Sequence, residues 1–463
     1  MMNALTACTS ILIGKNASAD HSIIIGRTED AKPAWPKHYV VHPAGELPTE
    51  FISKETGVTI PLPTPSFQYS ATPEWTDEFG LFEEAGLNEF DVAMSATESA
   101  YSNEAVLAMD PYSDHGINEE AMVTITLPFV KTAREGVQRL GQLIAQYGTG
   151  ESNGVLFADN DEAWYMEIGS GHLWVAQRIP DDAYAVVGNQ LAIQTIKFDD
   201  PANFMYHPEL LAKTTAAGLY QPGTPFNFRQ IFGTRADKDA HYSTPRVWYG
   251  HRMFSASQVT EETPESQTLP FLMHPDQPLT LQDARDFLTS HYQATPFDPV
   301  GTGTEAQRHR YRPITLAKTQ ESHLIQTNRT GNNILWLAMG VGVESLFVPF
   351  FNGITDTPPA YQRGGLPASL DSAYWIYKLV GVLVERDRTA YWPQLVQLQT
   401  ELNDYLAQSV ADLDRQNLTP VELTQVNLDL ANTALKHFEA LAMELLVAQT
   451  DLSPFNYDTD ANL

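Results

Sequence analysis

Cys8-Thr9-Ser10-Ile11-Leu12-Ile13-Gly14, followed after a polar interval by Ile23-Ile24-Ile25-Gly26-Arg27-Thr28-Glu29-Asp30, is the stretch on which the reading of this chain turns. Thr9 to Gly14 is a short apolar run, Lys15 to Ser22 is polar and turn-forming, and Ile23 to Gly26 is a second apolar run. The pattern predicts a β-hairpin that starts at Cys8. An antiparallel return brings the end of the second strand back beside the start of the first. Arg27 is therefore expected next to the Cys8 thiol, where a fixed positive charge favours the thiolate. Asp30 is expected within reach of the Cys8 nitrogen, as partner in a charge-assisted hydrogen bond.

Cys8 is the single cysteine of 463 residues, which excludes internal disulfides and cysteine-based zinc sites and suits a reducing cytoplasm. A lone cysteine is most often a small buried hydrophobe. Its position suggests another role. If the Ala7-Cys8 bond is cleaved, Met1 to Ala7 is lost as a leader and Cys8 carries both a thiol and a free α-amine. The amine titrates near about 7.7 to 8.0 and the thiol near about 8.5, so one can take the proton of the other at neutral pH. Nucleophile and base are then one residue, and no separate triad is needed. Residues 1–7 have no basic region and are too short for a secretory signal, so a cytoplasmic location is expected.

Outward from the hairpin, Pro33 to Pro73 is rich in proline, threonine and serine and reads as a long extended excursion. Thr132-Ala133-Arg134-Glu135 has capping-box spacing, and Ala133, Val137, Leu140, Ile144 and Tyr147 continue an amphipathic helix that Gly148 stops. Gly154–Ala158, Ala163–Ile168, His172–Gln177 and Ala183–Val187 read as an antiparallel meander. Gly86-Leu87-Asn88-Glu89 is taken as a turn between strands. Asp199 to Asp298 mixes helices with loops, and two apolar strands flank Gly340-Val341-Gly342. Beyond Ser369 the chain turns helical, with a capping box and first-turn proline at Thr419-Pro420-Val421-Glu422. Strands, helix, strands and helices in that order predict α+β layering rather than regular βαβ alternation. Two antiparallel sheets between helical layers accommodate it, with a catalytic domain over 8–368 and a helical region over 369–463.

Acidic residues number 57 against 28 basic ones, a formal charge of -29. That balance argues against nucleic acid or anionic membrane as partner. No run approaches the roughly 18 apolar residues of a membrane-spanning helix. Gly-x-Ser-x-Gly, His-Glu-x-x-His, Walker and dinucleotide glycine motifs are absent, and no metal or other cofactor is expected. His38 and His42 are four apart, but flanking prolines oppose the helix a metal pair would need. Asn189, after Gly188, is by itself equally a turn residue or a hydrogen-bond donor, and Arg246, near Trp248 and Tyr249, could simply stack on aromatic rings.

Taken together, Cys8 to Gly14, Gly26 to Asp30, Gly86 to Glu89 leading into Thr97-Glu98, Gly188-Asn189-Gln190, and Arg246 within Tyr242 to Trp248 resemble the dipeptidase A family of cysteine peptidases. That family lies among the N-terminal nucleophile hydrolases, with bile salt hydrolases and penicillin V acylases as relations. The resemblance covers nearly the whole chain. It implies a four-layer αββα fold and hydrolysis of dipeptides through a thioester. Cys8 would be the nucleophile, Arg27 and Asp30 its electrostatic supports, Asn189 an oxyanion donor, and Arg246 a charged group lining the site. Thr97 and Glu98 stand where substrate would be held, Glu98 pairing with the substrate ammonium. Self-association into a homo-oligomer through the C-terminal helices is also expected. The rival readings are an acylase of a non-peptide amide and a non-enzymatic acidic binding protein.

Overall fold

The structure is a computed structural model that describes residues 8–453, apart from the side chains of Glu98 and Asp451. Two antiparallel sheets lie face to face. In the first, the strands run in the order Leu272–Met273, Tyr184–Val187, Thr9–Ile13, Ile23–Asp30, Thr319–Thr327, Ile334–Met339 and Val348–Phe351. In the second, the order is Phe204–Tyr206, Trp174–Ile179, Ala163–Ile168, Ser152–Ala158, Ala93–Ala100, Ala85–Asn88, Tyr69–Ala71 and Val40–His42. Strand Ile23–Asp30 packs across the interface on Ala93–Ala100 and Ser152–Ala158. Helix Leu281–Leu288 covers the outer face of the first sheet, and helices Glu119–Thr126 and Ala133–Tyr147 cover that of the second. This is the αββα layering that the sequence predicts.

The hairpin has the predicted register, Thr9 opposite Thr28 and Ser10 opposite Arg27. Both strands are wholly buried, and the second runs from Ile23 to Asp30. Helix Ala133–Tyr147 starts where expected. The Thr132 hydroxyl accepts from Glu135 N at 3.1 Å, but the Glu135 carboxylate turns to the N–H of Lys131, so the box is only half closed. Gly148 ends the helix at φ 74°, a conformation glycine adopts without penalty.

Three sequence expectations need correction. The predicted meander is not one ribbon, because its fourth strand, Tyr184–Val187, leaves the second sheet and pairs with Thr9–Ile13 in the first. Alternating hydrophobicity reports a buried face and is silent on which sheet owns it. Gly86 to Asn88 lies inside a strand, and the turn comes just after it, where Asn88 Oδ1 accepts from the N–H groups of Phe90 and Val92. The excursion from Pro33 to Pro73 contains four short strands, two of which extend the second sheet.

The C-terminal helices Ala373–Arg386, Arg388–Leu413 and Pro420–Ala448 pack on the first sheet and on one another. Asn427 docks the last of them: its amide donates to Pro349 O at 2.8 Å and accepts from Phe351 N at 2.9 Å. A sheet edge that would otherwise offer free backbone groups is closed this way. Among the described residues, no helix is long and apolar enough to cross a membrane.

Candidate active site

Cys8 sits at the mouth of the hairpin, 1% exposed. Because Ser10 lies opposite Arg27, the arginine side chain projects between the sheets toward the start of the first strand, and its Nη1 donates to Cys8 Sγ at 3.0 Å. The remaining donors of Arg27 are all used. Nε donates to Ser95 Oγ at 3.0 Å, Nη1 to Thr97 O at 2.9 Å, and Nη2 to Ala96 O at 2.8 Å, Glu84 O at 3.1 Å and the Glu84 carboxylate. The irregularity between Ala96 and Glu98 in strand Ala93–Ala100 turns two successive carbonyls onto this guanidinium. Burial opposes the charge of Arg27, but Cys8, Glu84 and Glu29 outweigh it and raise its pKa, so the cation is permanent.

Ser95 Oγ also meets His323 Nε2 at 2.9 Å, and His323 Nδ1 meets Glu321 Oε1 at 2.8 Å. Glu321, His323, Ser95, Arg27 and Cys8 form a continuous, buried hydrogen-bonded row. Strand Thr319–Thr327 supplies two of its members, and sequence reading passed over both that strand and the row. The available signal was thin: Thr319, Ile325 and Thr327 are β-branched and Leu324 is apolar. The consecutive polar residues Gln320 to His323 obscured it.

Asp30 lies one strand end away. Its carboxylate accepts from Arg312 Nη2 and Thr319 Oγ1, both at 2.5 Å, and from Thr28 Oγ1 at 3.1 Å. Thr28 Oγ1 in turn accepts from Thr9 N at 3.2 Å, so Asp30 is joined to the first strand through Thr28. Arg312, another residue the sequence did not single out, is buried and its pKa is raised: desolvation is overcome by Asp30.

Asn189 and Arg246 arrive from different elements. Strand Tyr184–Val187 delivers Asn189 beside the first strand, while helix Thr244–Phe254 delivers Arg246. Arg246 Nη1 donates to Cys8 O and to Thr9 Oγ1 at 2.7 Å, Nη2 to Asn189 Oδ1 at 2.6 Å, and Nε to Tyr242 O at 2.8 Å. A guanidinium can only donate, so the Asn189 oxygen is fixed toward Arg246 and its amide nitrogen faces the other way. That nitrogen donates one hydrogen to Ser99 O at 2.9 Å and keeps a second. Gly188 is needed here, since a Cβ would stand 2.9 Å from Ser243 O and 3.2 Å from Arg246 Nη2. Arg246 also lies over Tyr242, 5.2 Å from the ring centre.

The structure thus brings Cys8, Arg27, Asn189 and Arg246 together, with Asp30 linked through Thr28. Thr97 contributes its carbonyl to Arg27, and the Glu98 side chain lies outside what the structure describes. Residues 1–7, the predicted leader, are also outside the described residues. Among the described residues, no group of three or more histidine, cysteine or acidic side chains is arranged to hold a metal. Where strand Ala93–Ala100 runs out, a cavity of about 830 Å³ opens between Tyr101, Ser102, Thr234, Arg235 and Lys238.

Residues 7–401 match the family described as Peptidase family C69. The chain belongs to this family of cysteine peptidases. A "Probable dipeptidase" of Latilactobacillus sakei is 39% identical over 99% of both chains. A "Dipeptidase" of Bifidobacterium longum is 37% identical over 82% of this chain and 77% of its own. "Dipeptidase A" of Lactobacillus helveticus is 36% identical over 83% of each. Among solved structures, a penicillin V acylase from Agrobacterium tumefaciens aligns with 74% of this chain and 86% of its own at 15% identity, with a TM-score of 0.34, too loose a likeness to argue from. The C69 match begins at residue 7, directly before Cys8.

Proposed function

We propose that the C69 peptidase hydrolyses dipeptides through a thioester on Cys8, after loss of Met1 to Ala7. The observation that carries this reading is the single thiol held 3.0 Å from a buried arginine whose every other donor is fixed. The relatives' names support dipeptides as the substrate class.

In the proposed reaction the Cys8 amine takes the thiol proton, and the thiolate, steadied by Arg27, attacks the scissile carbonyl carbon. The carbonyl oxygen becomes an oxyanion and accepts from the second Asn189 Nδ2 hydrogen. As the C–N bond breaks, the Cys8 ammonium returns its proton to the leaving amine, and a thioester remains. Water, deprotonated by the same amine, attacks the thioester; the C–S bond breaks, the acid leaves and the thiol is restored. Asp30 steadies the Cys8 ammonium through the first strand, and Arg246 holds Asn189 in its donating orientation. Thr97 and Glu98 flank the substrate, with Glu98 receiving its ammonium, and the cavity past Tyr101 is its route of entry. The leader is removed by attack of the Cys8 thiol on the Ala7 carbonyl: the Ala7–Cys8 C–N bond breaks as the C–S bond forms, and the freed α-amine takes the thiol proton. Water then hydrolyses the leader thioester to release residues 1–7 as an acid and restore the thiol. The working enzyme is a cytoplasmic homo-oligomer.

The test is a panel of dipeptides, longer peptides, penicillin V and a conjugated bile acid, assayed with wild type and Cys8→Ala. Turnover of dipeptides alone, lost in Cys8→Ala, is expected. Preferential cleavage of the non-peptide amides would replace the substrate class, and undiminished activity in Cys8→Ala would remove the nucleophile.

A further inference from the structure

Arg285 is 8% exposed, yet its side chain has no carboxylate at ion-pair distance, and its buried Nε and Nη2 have no hydrogen-bond partner among the described residues. It projects from helix Leu281–Leu288, on the face of the first sheet opposite Cys8. Its guanidinium lies over Trp336, 4.3 Å from the ring centre, with Phe347 at 5.7 Å. Stacking covers the face of a guanidinium and leaves its in-plane N–H groups unmet, and Nε and Nη2 are buried with no acceptor. Burial lowers the pKa of Arg285 only to about 10, so the group is charged at neutral pH. Asp286 attracts the guanidinium but not from ion-pair distance, and a buried charge without a direct partner is unfavourable.

Arg285 lines a cavity of about 230 Å³ together with Asp286, Thr289, Gln293, Ser345 and Asn403. The Ser345 hydroxyl is a second buried group in this cavity without a partner among the described residues. A space of this size holds several waters or a small ion. We propose that this cavity binds a small free monocarboxylate, held by Arg285 and Ser345. A planar carboxylate matches the donor fork of arginine. Asp286, which also lines the cavity and accepts from Gln282 Nε2 at 2.8 Å, opposes a doubly charged ion such as phosphate. The site joins the helix behind the catalytic hairpin to helix Arg388–Leu413, so occupancy fastens the C-terminal helices to the first sheet.

The test is isothermal titration of the full chain with acetate and with inorganic phosphate, at constant ionic strength made up with chloride. Wild type should bind acetate saturably and more tightly than phosphate, and Arg285→Met should weaken acetate at least about tenfold. Non-saturable heats, or equal affinity in Arg285→Met, would overturn the site; tighter phosphate binding would overturn the carboxylate assignment. Should Arg285→Met not fold, wild-type crystals soaked in acetate decide. Planar density within hydrogen-bond distance of the guanidinium supports the site, and ordered water alone overturns it.

Discussion

Arg27 and Arg285 lie on opposite faces of one sheet, both are buried, and they are solved in opposite ways. Arg27 finds a thiol, a hydroxyl, three carbonyls and a carboxylate, whereas Arg285 finds two aromatic rings. The difference separates a charge that the fold itself has neutralised from one that awaits something else. Where pairing is complete, removing the arginine strands its partners; where it is absent, removal relieves a cost.

The largest effect should therefore come from Arg27→Met. It would strand the buried Glu84 carboxylate and the Ala96 and Thr97 carbonyls, costing roughly 3–5 kcal/mol in denaturant unfolding, and kcat/KM should fall with it. Asn189→Ala removes the oriented donor and should lower kcat by about 10² to 10³, with KM much less affected. Ser95→Ala cuts the row between Arg27 and His323. One positioning hydrogen bond is worth about 1 kcal/mol, so roughly a fivefold loss is expected, with the pH profile of Cys8 alkylation displaced. At the other end of the comparison, Arg285→Met should leave kcat/KM unchanged, which steady-state kinetics would check.

The hairpin and its register were legible in the sequence because a polar turn between two apolar runs leaves little choice of pairing. Cys8, Arg27, Asn189 and Arg246 could be named from the motifs around them. Ser95, Glu84, His323 and Arg312 could not. They converge from segments far apart in the chain, Ser95 and His323 by 228 positions and Arg312 and its partner Asp30 by 282, and no local spacing encodes such meetings. The exit of Tyr184–Val187 to the other sheet was hidden for the same reason. Arg285 was invisible because a lone arginine in an amphipathic helix reads as solvated until its surroundings are known.

Buried carboxyls sharpen the contrast through pH. Glu167 accepts from Ala192 N at 2.5 Å and Ile193 N at 3.1 Å, yet burial still pushes its pKa up to about 8. Burial also raises Glu119 and Glu29. A carboxyl whose pKa is raised on folding binds more protons folded than unfolded, so its contribution is present at low pH and lost as pH rises from about 4.5 through about 8. Thermal stability should decline over that window, and Glu167→Gln should flatten part of the slope; a rise in stability across it would contradict the assignment.

In the proposed mechanism, thiol and amine belong to one terminal residue. Intact mass and N-terminal sequencing of the purified enzyme, taken with its activity on the same sample, address it most directly. Full activity is predicted to reside in chains beginning at Cys8. A fully active chain that still carries Met1 to Ala7 would contradict the account.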